Sequence, residues 1–132
     1  MTVLVGYIAS PEGEAAFAAG VQEAARRGEP LLVLNSARKG STVDGHLANE
    51  DQVRALNERA SAANVEMRIE RTPHTDDLAQ VLLDTAHEVK AEVIVIGLRR
   101  RTAVGKLLMG STAQRILIET DVPVLAVKAP SH

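Results

Sequence analysis

Val93-Ile94-Val95-Ile96 is a run of four β-branched residues with no polar position, closed by Gly97. β-branched side chains favour extended backbone. A strand with one face in water alternates with period two. A run without alternation leaves no solvent face, so this segment is expected to be a strand covered on both sides. Strands of that kind belong to parallel sheets sandwiched by helices.

The rest of the chain supplies matching pieces. Val3 to Ile8 is a short apolar strand, and Ser10-Pro11 then offers an N-cap and a proline at the first helical position. Phe17, Val21, Ala24 and Ala25 follow at helical spacing, up to a stop at Gly28. Leu31 to Leu34 is a second strand, and Ala37 to His46 reads as a polar loop. Val53, Leu56, Ala60 and Ala63 mark one face of a second helix. Glu66 to Arg71 alternates charged and apolar residues, which predicts an edge strand. Thr75, Asp76 and Asp77 suit the start of a third helix with Leu78, Val81, Leu82, Ala86 and Val89 as its buried stripe. Ser111 to Glu119 forms a fourth helix and Val122 to Val127 a fifth strand. Helices between strands require parallel pairing with right-handed crossovers. The expected architecture is therefore one domain over residues 1–132, a three-layer α/β/α sandwich with a five-stranded parallel sheet.

Composition removes several functions. Formal net charge is -2 and aromatics are only Tyr7 and Phe17, so neither an electrostatic field nor a stacking platform for nucleic acid is present. There is no cysteine, hence no disulfide or thiol chemistry. No apolar run approaches the roughly 20 residues of a membrane span. The stretch MTVLVGYIAS lacks the basic start and cleavage pattern of a signal peptide, so a cytoplasmic location is expected. His46, His74, His87 and His132 show no metal-ligand spacing, and Ser41 and Ser111 have no evident histidine–acid partner. No catalytic residue is assigned, and nothing identifies a base for hydrolysis.

Chemistry concentrates in VIVIGLRRRTAVGKLLMGSTAQRIL, residues 93–117. Gly97 closes a strand and Gly110-Ser111-Thr112 opens a helix, whose unpaired amides attract an anion. Arg99, Arg100, Arg101 and Lys106 add positive charge between the two glycines. Ser111 and Gln114 also have the spacing of a capping box, which requires no ligand. Both a phosphate site and a capped turn fit these residues. A Walker A loop does not, since Leu107 follows Gly105-Lys106, and the glycine fingerprint of dinucleotide folds is missing after the first strand.

Gly97, Gly110 and Ser111, with Leu107-Leu108-Met109 before the last glycine, resemble the signature of the universal stress protein family. The closing TDVPVLAVKAP and the opening VLVGYIASPEGEAAFAAG resemble it too. The resemblance covers essentially the whole chain. It implies a Rossmann- or flavodoxin-like fold of the adenine nucleotide alpha hydrolase type, a cytoplasmic homodimer, and a role in stress survival. It further implies ATP or a related adenine nucleotide, with the glycine loop at Gly97 and Gly110 and the following Ser111 holding the phosphates; Arg99, Arg100 and Thr112 are the neighbouring candidates for phosphate contact. Ile8 stands at the family's acidic nucleoside position and Arg100 at its second glycine, so this chain departs from the pattern twice. Arg100 either fills the phosphate space or donates to a phosphate. Asn35, ending the second strand, either partly replaces the polar group that Ile8 does not offer or is a solvated loop residue, the reading favoured here. If the strand order is also the family's, Val122 to Val127 is a bare apolar edge, which pairing with a second copy would cover. The alternatives are a nucleotide-free dimeric module for an unidentified protein partner, or a slow nucleotide hydrolase.

Overall fold

The computed structural model describes residues 1–7, 10–38, 49–75, 78–98 and 111–129. Five strands and four helices alternate: β1 (Thr2–Tyr7), α1 (Pro11–Arg27), β2 (Leu31–Arg38), α2 (Glu50–Ala62), β3 (Met67–Thr75), α3 (Leu78–Glu88), β4 (Ala91–Leu98), α4 (Ser111–Glu119) and β5 (Val124–Lys128). The strands form one parallel sheet in the order β3-β2-β1-β4-β5. This is the expected α/β/α sandwich.

Val93 to Ile96 are buried without interruption, as a strand with no polar position requires. Alternate residues of the central strands feed two cores. Val3, Val5, Val33 and Val95 meet Ala16, Phe17 and Ala24 of α1 and Leu56 and Ala60 of α2. Leu4, Leu32, Ile94 and Ile96 meet Ala79, Leu82 and Ala86 of α3 and Ile116 of α4.

Local signals place the helix ends. Ser10 accepts a hydrogen bond from the Gly13 amide at 3.0 Å, and Pro11 opens α1. Gly28 ends that helix at φ 67°, a left-handed conformation that favours glycine. Asn49 and Gln52 form a reciprocal capping box at α2, which the sequence reading does not anticipate.

Three boundaries differ from expectation. β2 runs on to Arg38 because β3 pairs with it past the apolar run, with Ser36 opposite Thr72 and Arg38 opposite Thr75. Thr75 accordingly ends β3, while Asp76 and Asp77 lie outside the described residues. β5 begins at Val124, two residues later than expected.

The sheet's two edges are unlike. On β3, exposed Arg68 and Glu70 alternate with Met67 and Ile69, which pack on the first core. β5 is VLAVK, with one charge at its end. Beside it in sequence, Ile118 of α4 is 78% exposed.

Candidate functional site at the carboxyl edge of the sheet

The strands do not part together. The last described pair of β1 with β4 is Val5 with Val95. β1 and β2 stay paired to Tyr7 and Asn35, and β4 and β5 to Leu98 and Lys128. A gap therefore opens between β1 and β4, where the strand order reverses direction. α1 covers one face beside it and α4 the other. In open α/β sheets ligands bind at this switch point.

Two helix N-termini flank the gap, with different chemistry. In α1 the Ser10 side chain already holds the Gly13 amide, and Glu12 and Glu14 fill the first turn. Two carboxylates answer that positive end and would repel a second anion. α4 has no acidic residue in its first turn; its acid is Glu119, at the far end. The N-terminus of α4 is thus the one suited to an anion. Ser111 begins this helix, and Thr112 is half-buried within its first turn. Arg115 reaches from the next turn to Gln80 of α3 and to Glu119, fixing α4 on its neighbour.

Gly97 lies at the gap for a reason unrelated to any ligand. A Cβ here would land on the carbonyl oxygen of Glu12, far inside van der Waals contact. The missing side chain is what lets the first turn of α1 rest on β4.

Asn35 corrects an expectation. It is an internal residue of β2, fully buried, and its Nδ2 donates to the Tyr7 carbonyl at 2.9 Å. It is not a solvated loop residue. The amide holds Tyr7 at the last described pair of β1 with β2, beyond which the described pairing of β2 is with β3. Asn35→Leu is expected to cost about 1–3 kcal/mol, the penalty for stranding a buried polar group. Urea denaturation measures it, and a cost near zero would show that the bond is dispensable.

A further cluster gives no sign in the sequence. The Tyr7 hydroxyl donates to Glu14 Oε2 at 2.5 Å, and Arg59 of α2 donates to Glu14 Oε1 at 2.6 Å. The Arg59 guanidinium also sits 4.7 Å from the centre of the Phe17 ring, which meets Tyr7 edge-on. Burial, then the bond to Glu14, pushes the Tyr7 hydroxyl above the usual phenol range. Burial pushes the Glu14 carboxyl up, but the Tyr7 hydroxyl and Arg59 outweigh it and hold it below the usual range.

The sign for stability follows from that lowered value. The contribution of Glu14 is present above the ordinary carboxylate pKa and is lost as pH falls through its depressed one. Glu14→Gln should therefore be less stable than the parent near neutral pH, with the difference fading in acid. A constant difference across an acid titration of thermal unfolding would contradict this.

Gly97, Asn35, Ser111 and Thr112 are thus placed at the carboxyl edge or at the start of α4. Ile8, Arg99, Arg100 and Gly110 lie outside the described residues. Among the described residues, no group of three or more His, Cys, Asp or Glu side chains could hold a metal ion, and no helix is long and apolar enough to cross a membrane.

Comparison with known proteins agrees with this architecture. The chain matches the universal stress protein family over residues 1–128. It is 42% identical over 126 residues to a universal stress protein of Mycolicibacterium smegmatis, spanning 96% of both chains. A universal stress protein structure from Archaeoglobus fulgidus superposes with a TM-score of 0.79 at 26% identity, covering 97% of this chain and 98% of that one. Another universal stress protein, solved in complex with cAMP, superposes with a TM-score of 0.70 at 25% identity over 98% of each chain. With its sheet order, its glycine at the parting of β1 and β4 and these matches along its length, the chain belongs to the universal stress protein family.

Proposed function

We propose that the protein binds ATP or a related adenine nucleotide between β1 and β4 and acts as a cytoplasmic, nucleotide-responsive regulator in the stress response. The observation that carries this reading is the gap at the strand-order reversal beside an α4 N-terminus with no acid in its first turn. The cAMP complex of a relative with the same fold adds support. In this reading the amides at the start of α4, with Ser111 and Thr112, receive the phosphates. Arg99 and Arg100, in the connection from β4, add charge.

The test is to denature the purified protein, resolve released small molecules by anion exchange, and titrate ATP into the emptied protein by calorimetry. Co-purified or titratable adenine nucleotide is the expected result. No nucleotide and no heat up to millimolar ATP would sink the reading. Arg100→Gly then separates the two roles of that arginine: weaker binding makes it a ligand, stronger binding an obstruction.

A second reading, a nucleotide-free interaction module, draws on Gly97. Its place in the motif is required by the packing of Glu12 whether or not phosphate binds.

Both readings include a homodimer paired through the segment Val122 to Val127. Among the described residues no strand pairs with the outer side of β5, and this with the exposed Ile118 beside it in sequence supports that arrangement. Ala126→Lys combined with Ile118→Glu is expected to convert the dimer to a monomer in light scattering. A parent protein that is already monomeric at about 100 μM, the range in which weak contacts form, would remove the dimer.

A further inference from the structure

The chain has one tyrosine, one phenylalanine and no tryptophan; the two aromatics meet edge-on, and Arg59 lies over the phenylalanine. This cluster joins three elements. Tyr7 ends the described part of β1, Glu14 and Phe17 belong to α1, and Arg59 belongs to α2. Tyr7 is held at both ends, its carbonyl by Asn35 of β2 and its hydroxyl by Glu14. α2 has a thin footing by contrast: of its residues only Leu56 and Ala60 are buried. A bridge from Glu50 to Arg71 of β3, at 2.9 Å, adds an exposed tie to the sheet.

We infer that Arg59, Glu14 and Tyr7 form a positioning chain that couples α2 to the carboxyl edge of β1, and so to the gap between β1 and β4. Arg59 lies in the last turn of α2, where a surface arginine would ordinarily pair along its own helix. It instead crosses 45 positions of sequence to take one oxygen of Glu14. Tyr7 takes the other oxygen, so one carboxylate bridges a doubly held tyrosine and a thinly held helix. The guanidinium also lies over the Phe17 ring, a contact that the compact ammonium of lysine does not reproduce. A displacement of α2 thereby reaches the end of β1 through two charge-assisted bonds.

The coupling to a bound ligand rests on the nucleotide reading above; the chain itself does not. The test uses both facts. As the sole fluorophore of its kind, Tyr7 reports its own hydrogen bond, because a carboxylate acceptor quenches tyrosine emission. Glu14→Gln should raise that emission and sets the scale. Arg59→Met should move the emission toward the Glu14→Gln value, and should speed amide exchange in both α2 and the end of β1 by about fivefold, the factor of a strong half-exposed ion pair. α3 and α4 should exchange at parental rates. Arg59→Lys should restore part of both signals. Emission unchanged in Arg59→Met, or α2 loosening without any change at Tyr7, would overturn the chain. If the parent binds ATP, Arg59→Met should also weaken ATP by about the same factor, while inorganic triphosphate binds as before; equal ATP affinity would overturn the coupling to the gap. A parent that binds no ATP sinks the nucleotide reading alone, and the emission and exchange signals still decide the chain.

Discussion

Phe17→Ala should lower unfolding stability by about 3–5 kcal/mol, the usual cost of deleting a buried phenylalanine. The ring is completely inaccessible and belongs to the core beneath α1 and α2. It is also the edge partner of Tyr7 and the surface under Arg59. Removing it therefore opens a cavity and withdraws the support of a charged group at once. Small domains have roughly 5–15 kcal/mol in total, so a large share of the stability depends on one side chain. Phe17→Leu keeps most of the volume and should cost less than half as much. Urea denaturation of both variants separates the terms. An alanine variant within about 1 kcal/mol of the parent would mean that the core closes over the space.

Gly97→Ala is the second large effect, and it discriminates between two meanings of a glycine motif. The added methyl meets the Glu12 carbonyl, a backbone atom that cannot rotate away. The first turn of α1 must lift from β4, at an overpacking cost of about 1–3 kcal/mol. That loss should appear in ligand-free protein. If Gly97 served only close approach of a phosphate, ligand-free stability would match the parent and only affinity would fall.

How much of this is legible in the sequence depends on the range of the interaction. Ser10-Pro11 and Gly28 delimit α1 because caps act within one turn, and both stand where the residues predict. The apolar run at Val93 to Ile96 announces its own burial, and the period-two charges of β3 announce an edge. Asn35 reads as a loop residue because its class favours turns. Its burial is decided by a carbonyl 28 residues away. The extension of β2 to Arg38 escapes a sequence reading for a similar reason: no apolar pattern marks those residues, and pairing with β3 holds them extended. Thr75 has the chemistry of a cap, and the same pairing claims it for a strand. Glu14 and Arg59 give no sign, since each looks like an ordinary solvated charge until the fold brings α1 and α2 side by side. The arginines after Gly97 announce positive charge; what they do with it is a question for the Arg100→Gly titration.

The unlike edges of the sheet bear on the proposed dimer. A sheet with two bare edges has a valency of two and propagates as a filament. Here one margin carries Arg68 and Glu70, and the other is the nearly uncharged strand from Val124. In the dimer proposed above, strand addition uses that single margin, so the two joined copies would expose only their charged margins outward. Growth by that proposed contact would terminate at a ten-stranded sheet, because the surface that binds a second copy is used up in the act of binding it.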